Sequence, residues 1–283
     1  MFAYGEGGMI RLGFAVRSVL QPGLGGGQQR HLSLQLAGLR DMLAHLARIG
    51  VRFYRAPLAL PAGGSAALAD CGGQLDQLAR DLAAAELRVV VHLDHGVSLG
   101  GVNPQQAADA AARIEATAAL LARLDAYRSP AAIEATMTVH IGGPAADHGS
   151  IERFAAYYLR LSTQARARLA VEHDGAGHSL GAALALHHMC GVPVIFDAYH
   201  WALHNPERLP LDLALGLALA TWPVGRRAEV HLSSGRSEAH LLPARRGGRR
   251  GFCRPGPAST PTLSNPAICN DCSRQPAVCR ASI

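Results

Sequence analysis

At 283 residues, 49% hydrophobic and 17% charged, the chain is long enough to bury one large core, and barrels of roughly 250 residues are a common outcome at this size. No apolar stretch reaches the roughly 20 uninterrupted residues that cross a bilayer, and the opening MFAYGEGG lacks the basic-then-apolar order of a signal peptide. A membrane-spanning helix is therefore excluded, a cytoplasmic monomer is expected, and the formal net charge of +6 permits contact with phosphates without demanding it.

Residues 1–8 read as an extension ahead of Met9, where MIRLGFAV supplies a first strand over Arg11–Val16. Helical periodicity over Leu34–Ile49 leads to a second strand, Val51–Tyr54, and a helix over Gln74–Ala85 leads to a third, Arg88–Val91. The same alternation continues with a helix over Pro104–Ala126, a strand over Thr136–Val139, a helix over Ile151–Ala165 and a strand over Arg168–Val171. It ends with a helix over His178–Met189, a strand over Val192–Phe196, a helix over Leu211–Trp222 and a strand over Ala228–Leu232. Strands that alternate so regularly with helices predict right-handed parallel βαβ units, and so a (β/α)8 barrel over residues 9–243.

The eighth strand is not evident, because residues 244–283 are basic and rich in Cys and Pro, without apolar alternation. That segment is expected to be a disordered tail or one read in an altered frame, leaving strand eight incomplete or irregular. Cys253, Cys269, Cys272 and Cys279 crowd it with irregular spacing, whereas Cys71 and Cys190 in the body are expected to be inert thiols.

Five of the strands end on a residue able to hold a metal: LRVVVH at His92, TMTVH at His140, RLAVE at Glu172, VPVIFD at Asp197 and EVH at His231. Side chains at the C-terminal ends of parallel strands converge on one face of a barrel, so these imidazoles and carboxylates can share ions. Asp197 and His200 form D-x-x-H, in which the carboxylate also suits the role of a helix cap. Strand alternation sends Glu172 inward and Val171 outward, and a buried glutamate needs an ion or a basic neighbour. Asp94 and His95 follow His92 as candidate partners for its ring, and the glycines after His140 either admit a ligand or form a tight turn.

Taken in order, RLGF at Arg11–Phe14, GVRFYR at Gly50–Arg55, His92 with its loop, VHIGG at Val139–Gly143, Arg153–Phe154, RLAVEHD at Arg168–Asp174, PVIFDAYH at Pro193–His200 and VHLSSGRSEAH at Val230–His240 resemble the UV damage endonucleases of the xylose isomerase-like barrel superfamily. The resemblance implies a DNA-repair enzyme that binds UV-damaged double-stranded DNA and cuts the phosphodiester bond 5′ to a photoproduct. It further implies two or three divalent ions, manganese first and zinc or magnesium as alternatives. The implied metal ligands are His92, His140, Glu172, Asp197, His200, His231 and His240. Glu172 and Glu229 are the candidate catalytic carboxylates, Glu229 being otherwise a possible ligand or an exposed strand residue. His95 and Gly96 match positions that probe the lesion, and Arg226 and Arg227 precede the seventh strand as candidate DNA contacts.

Three departures from the family pattern stand out. Glu229 occupies a position where the family has a lysine, His95 and Gly96 replace a glutamine and an aromatic residue, and no acidic residue in a strand-like context follows His240. The ligand types alone also suit a sugar isomerase or epimerase, or a truncated relative that holds metal and DNA without cutting.

Overall fold

The computed structural model describes residues 10–15, 31–58, 60–61, 63–129, 133–144, 147, 149–233, 240–241, 252–253 and 278–282. Seven strands pair in parallel in sequence order: β1 (Arg11–Ala15), β2 (Phe53–Ala56), β3 (Arg88–His92), β4 (Thr136–His140), β5 (Leu169–Glu172), β6 (Val194–Asp197) and β7 (Glu229–His231). Two short strands, β8 (His240–Leu241) and β9 (Phe252–Cys253), pair only with each other, and β10 (Val278–Ser282) occupies the gap between β1 and β7. It runs antiparallel to both neighbours and closes the barrel.

The expected barrel with an irregular eighth strand is thus the observed fold. The segment VCRAS that fills the eighth position has no alternating pattern to announce it. What places it there is the need of the β1 and β7 edges for backbone partners.

The helices are α1 (Leu32–Arg48), α2 (Ser65–Asp70), α3 (Gly72–Ala84), α4 (Pro104–Leu124), α5 (Ser150–Arg160), α6 (Thr163–Arg166), α7 (Leu180–Cys190), α8 (Ala198–Leu203) and α9 (Leu211–Ala220). In α1 the buried residues Leu32, Leu36, Leu39, Leu43 and Leu46 recur every three or four positions, which gives one apolar stripe. Asn103 caps α4 by accepting from the Gln105 N–H at 2.9 Å, with Pro104 at the first helical position, where its missing N–H costs nothing. The single helix expected over Ile151–Ala165 is two, because Leu161 turns extended and Ser162 starts a new helix by capping the Ala165 N–H at 3.1 Å.

Strand alternation divides the barrel into two environments. Val89, Val91, Met137, Val139, Val171, Val194, Phe196 and Val230 face outward and join the buried helix faces in one apolar cluster. The inner face is different: beside a few apolar residues such as Phe53, Val90, Ala170 and Ile195 it carries the buried polar side chains of Arg88, Thr136, Thr138, His140, Glu172, Asp197, Glu229 and His231. Cohesion comes from the outer layer, where each fully buried large apolar side chain contributes about 1.5–3 kcal/mol. That leaves the interior available for chemistry.

Phe154 of α5 is fully buried in the outer cluster with its ring 6.4 Å from that of Tyr158. Phe154→Ala is expected to destabilise the protein by about 3–5 kcal/mol in denaturant unfolding, and a loss below about 1 kcal/mol would show that the α5 face carries little of the packing.

Candidate metal centre at the barrel mouth

The C-terminal ends of β3 to β7 bring His92, His140, Glu172, Asp197 and His231 together around the Glu172 carboxylate, and the α8 residue His200 joins them. Oε2 of Glu172 lies 2.7 Å from His92 Nε2 and 4.0 Å from His140 Nε2. Its other oxygen, Oε1, lies 2.8 Å from His231 Nδ1 and 3.6 Å from His200 Nδ1. Three overlapping trios have donor atoms within 4.8 Å of one another: His92, His140 and Glu172; His95, His140 and Asp174; Glu172, Asp197 and His200.

The rings are held from outside the cluster. His92 Nδ1 is 2.8 Å from the Leu93 carbonyl, His140 Nδ1 is 2.7 Å from Asp174 Oδ1, and His231 Nε2 is 2.8 Å from Glu229 Oε1. Each of these partners is an acceptor, and a neutral imidazole has only one N–H to give. Once that proton is spent outward, the nitrogen facing Glu172 presents a lone pair to a carboxylate oxygen that also presents lone pairs. Contacts of 2.7–2.8 Å between such atoms are satisfied either by a second proton on the ring or by a cation held by both atoms. The mixed imidazole and carboxylate donors fit a divalent transition ion.

Electrostatics separate the members of the cluster. Burial would push the Glu172 carboxyl up, but the His231 and His92 rings outweigh it and hold the group well below the usual carboxylate range. Burial, followed by the charge of Arg55, pushes the His92 ring well below its ordinary value and keeps it neutral. Burial also opposes charge on His140, yet Asp174 and Glu172 prevail and raise it. Asp197 is pushed up by burial and by the neighbouring Glu172 charge.

Asp197 takes the cap role that D-x-x-H suggests and also lies among the convergent donors. Its Oδ1 accepts from the Tyr199 and His200 N–H groups at 2.8 and 2.9 Å and starts α8, while its carboxylate stays within the third trio. Glu172 points inward and Val171 outward, as alternation requires. Glu229 is 1% exposed and sits one layer below the cluster; neither it nor His231 belongs to the three trios, and His231 joins the cluster through its contact with Glu172. The His240 side chain lies outside the described residues.

Other expectations need correction. Asp94 is exposed and takes no part in holding His92, whose neighbour is the Leu93 carbonyl. His95 stacks on His140 with ring centroids 4.2 Å apart, so it borders the donor set as well as the exposed rim, where Gly96 is also exposed. The space beside Gly142 holds no ligand, because a Cβ there would meet Ser98 Oγ at 1.7 Å. With φ at +71°, Gly142 forms a tight turn that lets Ser98 Oγ donate to the Ile141 carbonyl at 2.8 Å and ties the β3 and β4 loops together. Arg226 and Arg227 precede β7 and so fall at the opposite end of the barrel, where Arg227 pairs with Glu134 at 3.4 Å.

Asp174 and His173 are the residues that the sequence reading left without a role. Asp174 follows Glu172 by two positions, and the period of a strand would have flagged it. His173 is fully buried and accepts the Asp197 N–H on Nε2 at 3.1 Å, which fixes the turn out of β6.

A sequence profile of the family described as UV-endonuclease UvdE matches residues 29–245. A UV DNA damage endonuclease of Deinococcus radiodurans is 26% identical over 228 residues, spanning 74% of this chain and 72% of that protein. Among solved structures, the crystal structure of SacUVDE is similar with a TM-score of 0.63 and 22% identity, over 73% of this chain and 70% of that one. The structure of an L-ribulose 3-epimerase reaches a TM-score of 0.51 with 17% identity, over 70% and 64%. At these identities the two structures speak for the shared barrel alone.

Burial, and then the neighbouring His200, lower the His173 ring to about 4. A group whose pKa falls on folding binds its proton more readily when unfolded, so its stabilising contribution is complete above about pH 6.5 and is lost as the pH falls toward 4. Metal-free protein is expected to lose on the order of 3 kcal/mol across that window from this ring. Unfolding midpoints measured against pH should decline less steeply in His173→Gln, and equal slopes would refute the assignment.

Proposed function

The chain belongs to the UV-endonuclease UvdE family, and from that premise we propose that it is a metal-dependent DNA-repair endonuclease that nicks duplex DNA on the 5′ side of UV photoproducts. The observation that carries the metal dependence is the Glu172 carboxylate, 1% exposed and faced at 2.7 and 2.8 Å by rings whose outer nitrogens already meet acceptors. Without a bound ion the neutral rings would oppose lone pairs in a buried site, or would each have to take up a second proton there, and either is costly.

Divalent ions, with manganese expected ahead of zinc or magnesium, would be held by His92, His140 and Glu172, by Glu172, Asp197 and His200, and by His231. When bound, such ions supply Lewis-acid polarisation of a phosphoryl oxygen and stabilise charge on the leaving oxygen. The protein's own residues do the rest. Glu172 would hold an ion together with the rings around it, and His92 is kept neutral by burial and so keeps a lone pair to offer. Asp174 and the Leu93 carbonyl set the ring orientations. The outer apolar cluster fixes the strand ends, so that the donors need not reorganise when substrate arrives.

DNA would lie across the same face. His95 is exposed and stacked on His140, which makes it the ring best placed to meet a distorted base, and Gly96 leaves the rim beside it open. Phosphate contacts are drawn from this face, because Arg226 and Arg227 lie at the far end.

One observation favours a second reading, a relative that holds metal and DNA with little turnover. The eighth strand, VCRAS, contributes neither Asp nor Glu. A multi-ion site short of one anionic donor would bind one ion less tightly and spare the others.

Incubation with Mn2+ and either UV-irradiated or undamaged duplex separates the readings. The leading one expects a nick confined to damaged duplex, on the 5′ side of the lesion. Mn2+ binding with no cleavage supports the second reading, and absence of Mn2+ binding sinks both. His231→Ala is expected to lose Mn2+ and to reduce nicking by more than about 100-fold, and undiminished nicking at matched metal loading would remove His231 from the site.

A further inference from the structure

Beneath the cluster lies a buried pair that the reading above does not use. Glu229 precedes His231 by two residues on β7, so both side chains enter the barrel, and they are 1% and 0% exposed. Glu229 Oε1 is 2.8 Å from His231 Nε2, and the same ring's Nδ1 is 2.8 Å from Glu172 Oε1. On its other side, Glu229 Oε2 lies 3.8 Å from Arg88 Nη2.

Arg88 is itself 1% exposed and held rigidly. Its Nε donates to the Glu134 carbonyl at 2.9 Å, Nη1 to the Arg227 carbonyl at 3.2 Å and Nη2 to Thr136 Oγ1 at 3.1 Å, and the guanidinium lies 5.4 Å from the centre of the Phe53 ring. A guanidinium at that depth stays charged and favours the ionised form of the carboxylate next to it.

We propose that Glu229, held by Arg88, is a positioning residue for the metal centre: it accepts the Nε2 proton of His231 and thereby presents Nδ1 to Glu172 and to a cation. An ionised carboxylate can only accept, so the 2.8 Å contact requires the proton on Nε2. The lone pair of the neutral ring is then on Nδ1, on the side of the mouth. Glu229 meets His231 on its Nε2 side, whereas Glu172 meets the same ring on its Nδ1 side, so the carboxylate reaches the cluster through the ring. The buried line Arg88, Glu229, His231, Glu172 thus runs from the barrel floor to the cluster, and each member fixes the next.

The proposal rests on the reading of the cluster as a metal centre, and the test keeps the two apart. Full-length protein stripped of metal is titrated with Mn2+ by equilibrium dialysis, as wild type, Glu229→Gln and Glu229→Met, with thermal melts to establish folding. The His231 ring is followed by 15N NMR in the Zn2+-loaded form. The expected result is unchanged Mn2+ stoichiometry with affinity lowered by roughly 10- to 100-fold, more in Met than in Gln, together with loss of the Nε2-protonated signature of His231. The isosteric Glu229→Gln covers the case in which Glu229→Met does not fold. Loss of a whole equivalent of Mn2+ would make Glu229 a ligand and overturn the proposal, as would unchanged affinity with an unchanged ring signal. A wild-type chain that takes up no Mn2+ overturns the metal reading and this proposal together.

Discussion

A carboxylate buried among imidazoles governs the centre of this barrel. Glu172 is anionic, almost wholly removed from water, and within 4.0 Å of ring nitrogens from His92, His140, His200 and His231. An isolated charge at that depth would be prohibitive, so the fold must either protonate it or surround it. It surrounds it, using one residue from each neighbouring strand end. The outward partners of the rings then decide which nitrogens remain available, and the chemistry follows from that choice.

The division of labour between the two faces of each strand makes this possible. Val89, Val91, Val139, Val171 and Val230 carry the packing against the helices, and residues one position away carry the polar interior. A period of two places stability and function on alternate residues of the same short segment. Substitutions on the two faces should accordingly fail in different ways: one set unfolds the barrel and the other disarms it.

Most of the fold and much of the site were legible in the sequence because both depend on local pattern. The strands show as apolar runs, and His92, His140, Glu172, Asp197 and His231 each mark the end of one, where a parallel barrel gathers its residues. Asp174 escaped assignment because attention to strand ends passes over the residue two positions further along on the same face. β10 was illegible for a different reason: VCRAS is placed by what β1 and β7 lack, and an unmet need of two distant strands leaves no trace in the segment that fills it. Arg226 and Arg227 were misplaced because nearness to β7 was weighed without its direction: residues that precede a parallel strand adjoin its N-terminal end, opposite the mouth.

The floor of the barrel bears on how the molecule can be divided. Arg88 draws its partners from the start of β4 and the start of β7, residues separated from it by up to 141 positions. A fragment cut after the fourth strand would keep the guanidinium and lose both the Arg227 carbonyl and the Glu229 carboxylate that accommodate it. Barrels of this kind are often regarded as two joined halves. In this one the seam is bridged by buried cations, Arg88 reaching forward to Arg227 and Glu229 and Arg168 reaching back to Asp125 and Ala135, so each half would leave buried charge without its partners, and recombination between relatives would favour exchanging Arg88 and Glu229 together.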